Sequence, residues 1–351
     1  MDSYTVLERL CNSPGVSGFE APVREAIAEL VGPLVDELRV DTLGNLIAVR
    51  HGRSGFKLLL DAHMDEIGFL VQHIDEQGFI SFTPIGGWDQ RLLPSHLLTI
   101  MTRANRRIEG IVGTWPPHIL GPGDREQVIP LEELFLDVGA TSRQEVREEL
   151  GICVGDPIVP AYPCRRLGRE TVAAKALDDR AGCAVIVRTL EALQGVALEA
   201  TLVAAFVVAE ERGLIGARTA AYQIEPDLAI ALEGAPAADI PGVPPPRRPA
   251  SLGLGPAITV ADHSFIASRT MVQALERSAE RAGIPYQLKT PSFGATDAGA
   301  IHQSRGGVLT GVVSVPCRYI HSPFSSCRLS DFDHTWQLLT AFCREATGVG
   351  G

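Results

Sequence analysis

No stretch of this 351-residue chain approaches the roughly 20 uninterrupted apolar residues that a membrane-spanning helix needs. The opening, "MDSYTVLERLCNSPG", has neither the basic start nor the apolar core of a secretion signal, which points to a cytosolic protein. Clustered Lys and Arg are missing too. The formal net charge is -11 with both signs interspersed, and the nearest basic group, "PPPRRP" at 244–249, is a proline-rich loop; this argues against a nucleic-acid surface. CxxC is absent. The seven cysteines (Cys11, Cys153, Cys164, Cys183, Cys317, Cys327, Cys343) are an odd number, so neither a disulfide framework nor a thiolate zinc site is implied. No internal repeat or low-complexity tract is visible.

What is present is a patterned interior in a chain long enough for two domains of roughly 100 to 200 residues each. "YTVLERLCN" and "APVREAIAELVGPL" carry helical periodicity on either side of the turn "SPGVSGFE". "ELRVDTLGNLIAVR" is extended with a turn at "TLGN", and "GFKLLLDAHMDEIGFLV" begins as a buried strand. From about 66 to 162 the chain changes to short β-rich runs with Gly and Pro turns, such as "GFISFTPIGGW", "HLLTIMT" and "RIEGIVG", as in a small barrel or β-rich module. Helices and buried strands then alternate: "CAVIVRTLEAL", "EATLVAAFVVAE", "LIGARTAAY", "PDLAIALEG", "SRTMVQALERSAERAG", "GVLTGVVSV" and a closing helix in "DFDHTWQLLTAFCREA". The expectation is an α/β fold, a sheet covered by helices on both sides, formed by 1–65 and 163–351 with the β-rich domain 66–162 inserted.

Five places set His, Asp or Glu at the end of an apolar run. In "LLLDAHMDEIG", His63 and Asp65 are two apart and on extended chain point the same way, as suits an imidazole oriented by a carboxylate. Taken alone, that pair is more often a structural hydrogen bond. In "KALDDRAG", Asp178 and Asp179 open a helix, where one Asp would read as an N-cap and two in succession weaken that reading. In "FVVAEERGLIGA", Glu210 and Glu211 end a buried strand; adjacent like charges repel, and the bland alternative is a helix N-terminus that favours Glu. Glu233 ends the strand "AIALEG", and His321 in "RYIHSP" precedes a proline that stops its strand. Carboxyl ends of parallel strands are where open α/β sheets build their sites. Carboxylates and imidazoles without thiolate suit zinc, cobalt or manganese, and two ions about 3.5 to 4 Å apart with one carboxylate bridging accommodate so many ligands.

"DAHMDEIGFLV", "KALDDRAG", "VVAEERGLIGAR" and "RYIHSP" resemble the signature segments of the tetrahedral (TET) aminopeptidases, a family of dinuclear metallopeptidases. Its members have been called glutamyl aminopeptidases, deblocking aminopeptidases and endoglucanases. The resemblance runs nearly the whole chain and includes "LFLDVGATS", "GDPIVP" and "GATDAGA". It implies a zinc-exopeptidase-like mixed sheet, a dimerisation role for the inserted domain, and a hollow tetrahedron of twelve subunits. It also implies two divalent ions per chain, Zn2+ or Co2+, with His63, Asp178 and Glu233 holding one and Asp178, Glu211 and His321 the other. Asp178 bridges, Glu210 is the general base, Asp65 is the catalytic-site carboxylate behind His63, and Thr296 and Asp297 line the substrate cleft, against the alternative that "GATDAGA" is a simple turn. A cis peptide between Asp178 and Asp179 is also expected. Two departures stand out: the family often has Asp where this chain has Glu233, and an acidic residue commonly follows His-Ser-Pro where this chain reads "HSPFSSC".

The activity expected is removal of N-terminal residues from short peptides. A deacylase or amidase using the same residues on N-acyl amino acids, or a non-catalytic assembly partner, are the competing readings. A glycosidase would also need two carboxylates but leaves His63 and His321 unexplained.

Overall fold

The computed structural model describes residues 1–116, 118–121, 123 and 127–349. Strands β1 (Glu37–Val40), β2 (Leu46–Arg50) and β3 (Lys57–His63) lead into β4 (Gly68–Ile74), β5 (Ile80–Ile85), β6 (Leu97–Met101), β7 (Arg107–Gly113), β8 (Phe135–Asp137) and β9 (Pro157–Pro160). There follow β10 (Arg165–Leu167), β11 (Thr171–Ala174), β12 (Thr201–Val207), β13 (Leu228–Pro236), β14 (Ala257–Thr259), β15 (Gln287–Lys289), β16 (Leu309–Arg318) and β17 (Ser325–Arg328). The helices are α1 (Ser3–Asn12), α2 (Ala21–Val31), α3 (Leu177–Ala192), α4 (Ile215–Ile224), α5 (Arg269–Ala282), α6 (Ala298–Ile301) and α7 (Leu329–Cys343).

The large sheet runs β1-β2-β12-β3-β13-β16-β17-β11-β10, with β14 and β15 attached beside β16. At its centre β12, β3, β13 and β16 are parallel. Their sequences lack polar alternation because both faces are covered. Leu58, Leu60, Leu202, Phe206 and Ile230 face a core shared with α1, α2, α3, α5 and α7. Leu59, Val203, Ala205, Ala229 and Ala231 face α4 and α6, whose own small residues Ala217, Ala220 and Ala298 permit close approach. Because side chains alternate along a strand, Asp61 and His63 share the face of Leu59, and Glu233 that of Ala231. The mixed α/β fold is the one expected.

The remaining strands close a barrel in the order β4-β5-β8-β7-β6-β9, around Phe69, Phe82, Ile100, Leu136 and Ile158. Its strands lie between Gly68 and Pro160. Phe69 stacks on Trp88 at 4.6 Å, and the Trp88 indole donates to the Gly68 carbonyl at 3.0 Å. That contact pins the loop after β5 where it leaves the barrel toward the sheet.

A second anchor lies below the site. Arg180, fully buried on α3, donates to the carbonyls of Met64 (2.6 Å), Leu10 (2.7 Å), Ser13 (2.8 Å) and Gly15 (3.2 Å). A guanidinium is tolerated there because its donors are spent on carbonyls that would otherwise be orphaned. Lys175, also buried, pairs with Glu66 at 2.6 Å. Both tie the α1–α2 connection to the exit of β3.

Candidate metal centre

At the carboxyl ends of β3, β12, β13 and β16 the five expected metal ligands converge. The parallel register pairs Ala231 with Asp61, and two residues further along each strand lie Glu233 and His63. His63 Nε2 stands 3.8 Å from Glu233 Oε2 and 3.5 Å from Asp178 Oδ1. The other oxygen of Asp178, Oδ2, is 3.5 Å from His321 Nε2, which is itself 3.5 Å from Glu211 Oε1. One carboxylate therefore faces two imidazoles, one through each oxygen.

Asp178 and Asp179 divide the two readings offered by their sequence. Both have non-helical backbone at the head of α3, joined by a cis peptide as expected. Asp179 Oδ1 accepts from the Gly182 N–H at 2.9 Å and so caps the helix, while Asp178 faces the histidines. Asp179 also approaches His63 and Glu233 closely enough to be counted with them as a donor group. Asp178 reaches both rings, His63 through one oxygen and His321 through the other, each at 3.5 Å.

Glu210 and Glu211 are not a helix N-terminus: β12 ends at Val207 and α4 begins only at Ile215. The turn between them is held by Asp65, whose Oδ1 accepts from Glu210 N–H at 3.0 Å and whose Oδ2 accepts from Glu211 N–H at 3.2 Å and from the Ser17 hydroxyl at 2.6 Å. The His63 ring meets Asp65 chiefly through the backbone: Nδ1 lies 3.0 Å from the Asp65 carbonyl oxygen and 3.5 Å from the carboxylate. Asp65 thus orders the glutamate turn as much as the histidine. His321 lies beyond the end of β16, in the turn to β17, and its Nδ1 contacts the Gly87 carbonyl at 2.9 Å. Glu233 lies inside β13, which continues to Pro236, and does not end it.

Backbone strain gathers here. Ala176, Ala209, Leu214, Tyr319 and His321 all have positive φ. Such conformations are costly for residues with a Cβ and concentrate at functional sites.

The electrostatics call for cations. Burial, with neighbouring carboxylates adding to it, pushes Glu210, Glu233 and Asp179 well above the usual carboxylate range, and Glu211 to about 7. Asp178, which burial would raise, is instead held low by His321 and His63. Asp65 is likewise held low against burial by His63, Ser17 and the turn's N–H groups. Asp178 Oδ1 and Asp179 Oδ2 are buried without hydrogen-bond partners among the described residues. Two groups of donors, one around His63 and Glu233 and one made by Asp178, Glu211 and His321, lie within metal-ligating span. Oxygen and imidazole donors of this kind fit divalent zinc, cobalt or manganese.

The centre floors a cavity of about 450 Å³ lined also by Lys289, Phe293 and Thr296. Thr296 lines that cavity, and its hydroxyl donates its hydrogen to Asp262 at 2.7 Å, which leaves the oxygen only as an acceptor. Asp297 is not among the lining residues. It is 1% exposed, with its N–H 3.3 Å from Glu233 Oε1 and its carboxyl toward Asp61, so it lies behind the ligands and does not touch the cleft. Asp61, Arg180, Gly87 and Lys289 belong to the site or its supports and were not singled out from sequence. Asp61 alone had a signal, two residues before His63 on the same face of a strand.

An α/β sheet with an inserted barrel, and a crowded carboxylate–imidazole centre at the ends of parallel strands, define a hydrolase of the metallopeptidase type. The chain belongs to the family described as M42 glutamyl aminopeptidase, whose model matches residues 44–338. It is similar to the structure of an aminopeptidase from Desulfurococcus kamchatkensis, with TM-score 0.94, 38% identity and coverage of 99% of this chain and 98% of that one. It is similar also to the TET1 peptidase of Pyrococcus horikoshii, described as assembling into a tetrahedron or a large octahedral shell, with TM-score 0.87, 32% identity and coverage of 98% and 100%. A lysyl aminopeptidase of Pyrococcus furiosus is 33% identical over 98% of each chain. The protein is therefore a peptidase.

Proposed function

We propose that this protein is a dinuclear metal-dependent aminopeptidase that removes N-terminal residues from short peptides, with Glu210 as general base. The observation that carries the reading is the double engagement of Asp178, one oxygen toward His63 and the other toward His321. In this reading His63, Asp178 and Glu233 hold one divalent ion and Asp178, Glu211 and His321 the other, with zinc or cobalt the expected metal. Ions so held supply positive charge that acidifies water and polarises a carbonyl.

The chain's own groups do the rest. Glu210 lines the cavity, belongs to neither donor group, and its Oε2 lies 3.9 Å from His63 Nε2. From there it takes the proton of the attacking water and returns it to the leaving amine. A carboxylate with a raised pKa is suited to both transfers, since general acid–base efficiency is greatest when the pKa lies near the working pH. Asp65 is a positioning residue: by accepting from the N–H groups of both Glu210 and Glu211 it keeps one glutamate in the cavity and the other on the metal side. The peptide's free amino terminus is held by the carboxylates around Glu211 and Glu233, and this makes the enzyme an exopeptidase.

The likeness to TET1 supports a homo-oligomer with a dimer as building block, joined through the barrel, and a tetrahedral dodecamer as the complete particle. Seven cysteines without a disulfide among them suit the cytoplasm. No helix among the described residues is long and apolar enough to cross a membrane.

The test is hydrolysis of free-amino and N-acetylated aminoacyl substrates by the chelated protein after separate addition of Zn2+ or Co2+. Metal-restored cleavage of the free-amino set alone is expected. Cleavage of the acetylated set alone would move the protein to the deacylases.

A further inference from the structure

The pairing of β12 with β2 and β3 stops at Phe206 and Val207, so the residues that follow have no strand to take their N–H groups. Their carbonyls are satisfied locally: the Val208, Ala209 and Glu210 oxygens accept from the N–H groups of Gly216 (2.9 Å), Ile215 (3.3 Å) and Gly213 (2.8 Å). Their N–H groups are satisfied from far away in the chain. Val208 N–H donates to Asn45 Oδ1 at 3.0 Å and Ala209 N–H to Glu20 Oε1 at 3.1 Å, ahead of the two that Asp65 accepts from Glu210 and Glu211. Four consecutive donors thus end on three side chains from three separate segments, and among the described residues none of the four has a backbone acceptor.

Glu20 is the least expected of the three. It stands at the N-cap of α2, where a carboxylate ordinarily takes that helix's own free N–H groups, yet its side chain makes no such bond. Its Oε1 instead accepts from Gly18 N–H at 2.8 Å and from Ala209 N–H. Glu20 and Asp65 are both buried, so two carboxylates are taken out of water to hold adjacent peptide groups. Burying like charges side by side costs stability that a neutral acceptor would not. Ala209, the residue so held, has φ +54°, a conformation that a residue with a Cβ keeps only where its surroundings impose it. We propose that Glu20 is a positioning residue for the reaction: its bond to the Ala209 N–H fixes the peptide from which Glu210 projects, and so aims the base into the cavity. This rests on the aminopeptidase reading above. Asp65 governs both glutamates, whereas Glu20 acts one residue earlier, on the side of the base away from the ligand Glu211. Its removal therefore disturbs Glu210 and leaves the metals in place.

The measurement is kcat and KM of the metal-loaded wild type, Glu20→Met and Glu20→Gln on a free-amino aminoacyl p-nitroanilide, with metal content alongside. Met keeps the volume without an oxygen, and Gln keeps an oxygen at the same reach; Glu20→Ala replaces Glu20→Met if that variant does not fold. For Glu20→Met, kcat should fall about 10- to 100-fold, the cost of an ångström-scale misplacement, with KM and metal content unchanged because the base acts only in the transition state. Glu20→Gln should recover most of that loss. A Glu20→Met variant that melts earlier but keeps its kcat makes Glu20 a structural residue only, and loss of metal in step with rate means that it serves Glu211; either result overturns the proposal, as does an equal loss in Glu20→Gln. Hydrogen exchange of the metal-loaded protein is a readout independent of turnover. Peptides spanning 208–211 should exchange faster in Glu20→Met than in the wild type, and those of β12 at the same rate. If the wild type cleaves no substrate, the aminopeptidase reading fails, and unchanged exchange at 208–211 would separately remove Glu20 from the turn.

Discussion

The two halves of the metal centre are built differently. The His63 half rests on neighbouring parallel strands in fixed register; His63 is 1% exposed and Glu233 6%. The His321 half is assembled from turns, with His321 beyond β16, Glu211 beyond β12 and the Gly87 carbonyl reaching in from the barrel, and the His321 side chain is 41% exposed. A ligand fixed by a strand ladder is preorganised by the core. One fixed by a single carbonyl of an inserted domain moves whenever that domain shifts. If both halves hold an ion as proposed, the first is expected to bind it more tightly and the second to exchange it more readily.

The largest effect separates both halves from the base between them. Glu210→Gln keeps the shape of a side chain that belongs to neither donor group, so two metals per chain should remain while kcat falls about 10²- to 10⁴-fold. Metal analysis alongside turnover checks this, and loss of metal equal to that of His321→Ala would remove Glu210 from the role of base.

The next prediction sets the halves against each other. A Cβ on Gly86, which has φ +75°, would lie 2.7 Å from Glu211 Oε2 and 2.4 Å from Ile67. Gly86→Ala should therefore weaken one metal of two by about 10- to 100-fold, the usual cost of disturbing a ligand's support. His321→Ala should lose that same metal outright. Titration of the chelated variants with Zn2+ should show one tight site surviving in each; weakening of both sites together would mean that the halves are not independent.

Acidity offers a third contrast, between the centre with and without its ions. Without them, burial raises Glu211 from 4.5 to about 7 and Asp61 from 3.8 to about 7. His321, which burial alone would lower, is raised from 6.5 to about 10 by Asp178 and Glu211. In every case the folded protein binds protons more tightly than the unfolded chain. The chelated protein should consequently lose stability as pH rises from about 4.5 through 7 and on toward 10. Bound metal reverses the slope, because ligands must shed protons to coordinate. Melting temperatures at pH 5.5 and 7.5, with chelator and with Zn2+, should move in opposite directions, and a chelated protein that gains stability over that interval would contradict the assignment.

These contrasts also mark how far the sequence alone could be read. His63, Glu233, His321 and the pairs Asp178–Asp179 and Glu210–Glu211 stood out as candidates because each interrupts or follows an apolar run, whereas which member of each pair would face a metal was implied only by the family resemblance. The inserted barrel was legible from its short strands and Gly and Pro turns. What escaped reading was held by contacts distant in the chain. Gly87 serves His321 across 234 positions, and Arg180 reaches Leu10 across 170, and neither carries a local signal. The pair Thr296 and Asp297 looked equivalent in "GATDAGA", yet one lines the cavity with its hydroxyl hydrogen committed and the other lies buried behind Glu233. Only the fold distinguishes neighbours whose side chains leave on opposite sides.

The smallest effect should come from shortening the most buried carboxylate ligand. Glu233 reaches His63 by one methylene more than the Asp common at this position in the family that the chain resembles. Its Oε2 stands 3.8 Å from His63 Nε2, and its Oε1 takes the Asp297 N–H at 3.3 Å. Glu233→Asp withdraws both oxygens yet leaves their chemistry intact, and β13 holds the backbone on either side. The His321 half shares no atom with Glu233, so its metal should be unaffected. We expect kcat/KM to fall by less than about tenfold, below the roughly hundredfold cost of an ångström-scale misplacement at the reacting centre, together with a changed ratio of Zn2+ to Co2+ activity. A loss as large as that of Glu210→Gln would mean that the strand-built half tolerates no adjustment and that the extra methylene is required for catalysis, not merely accommodated.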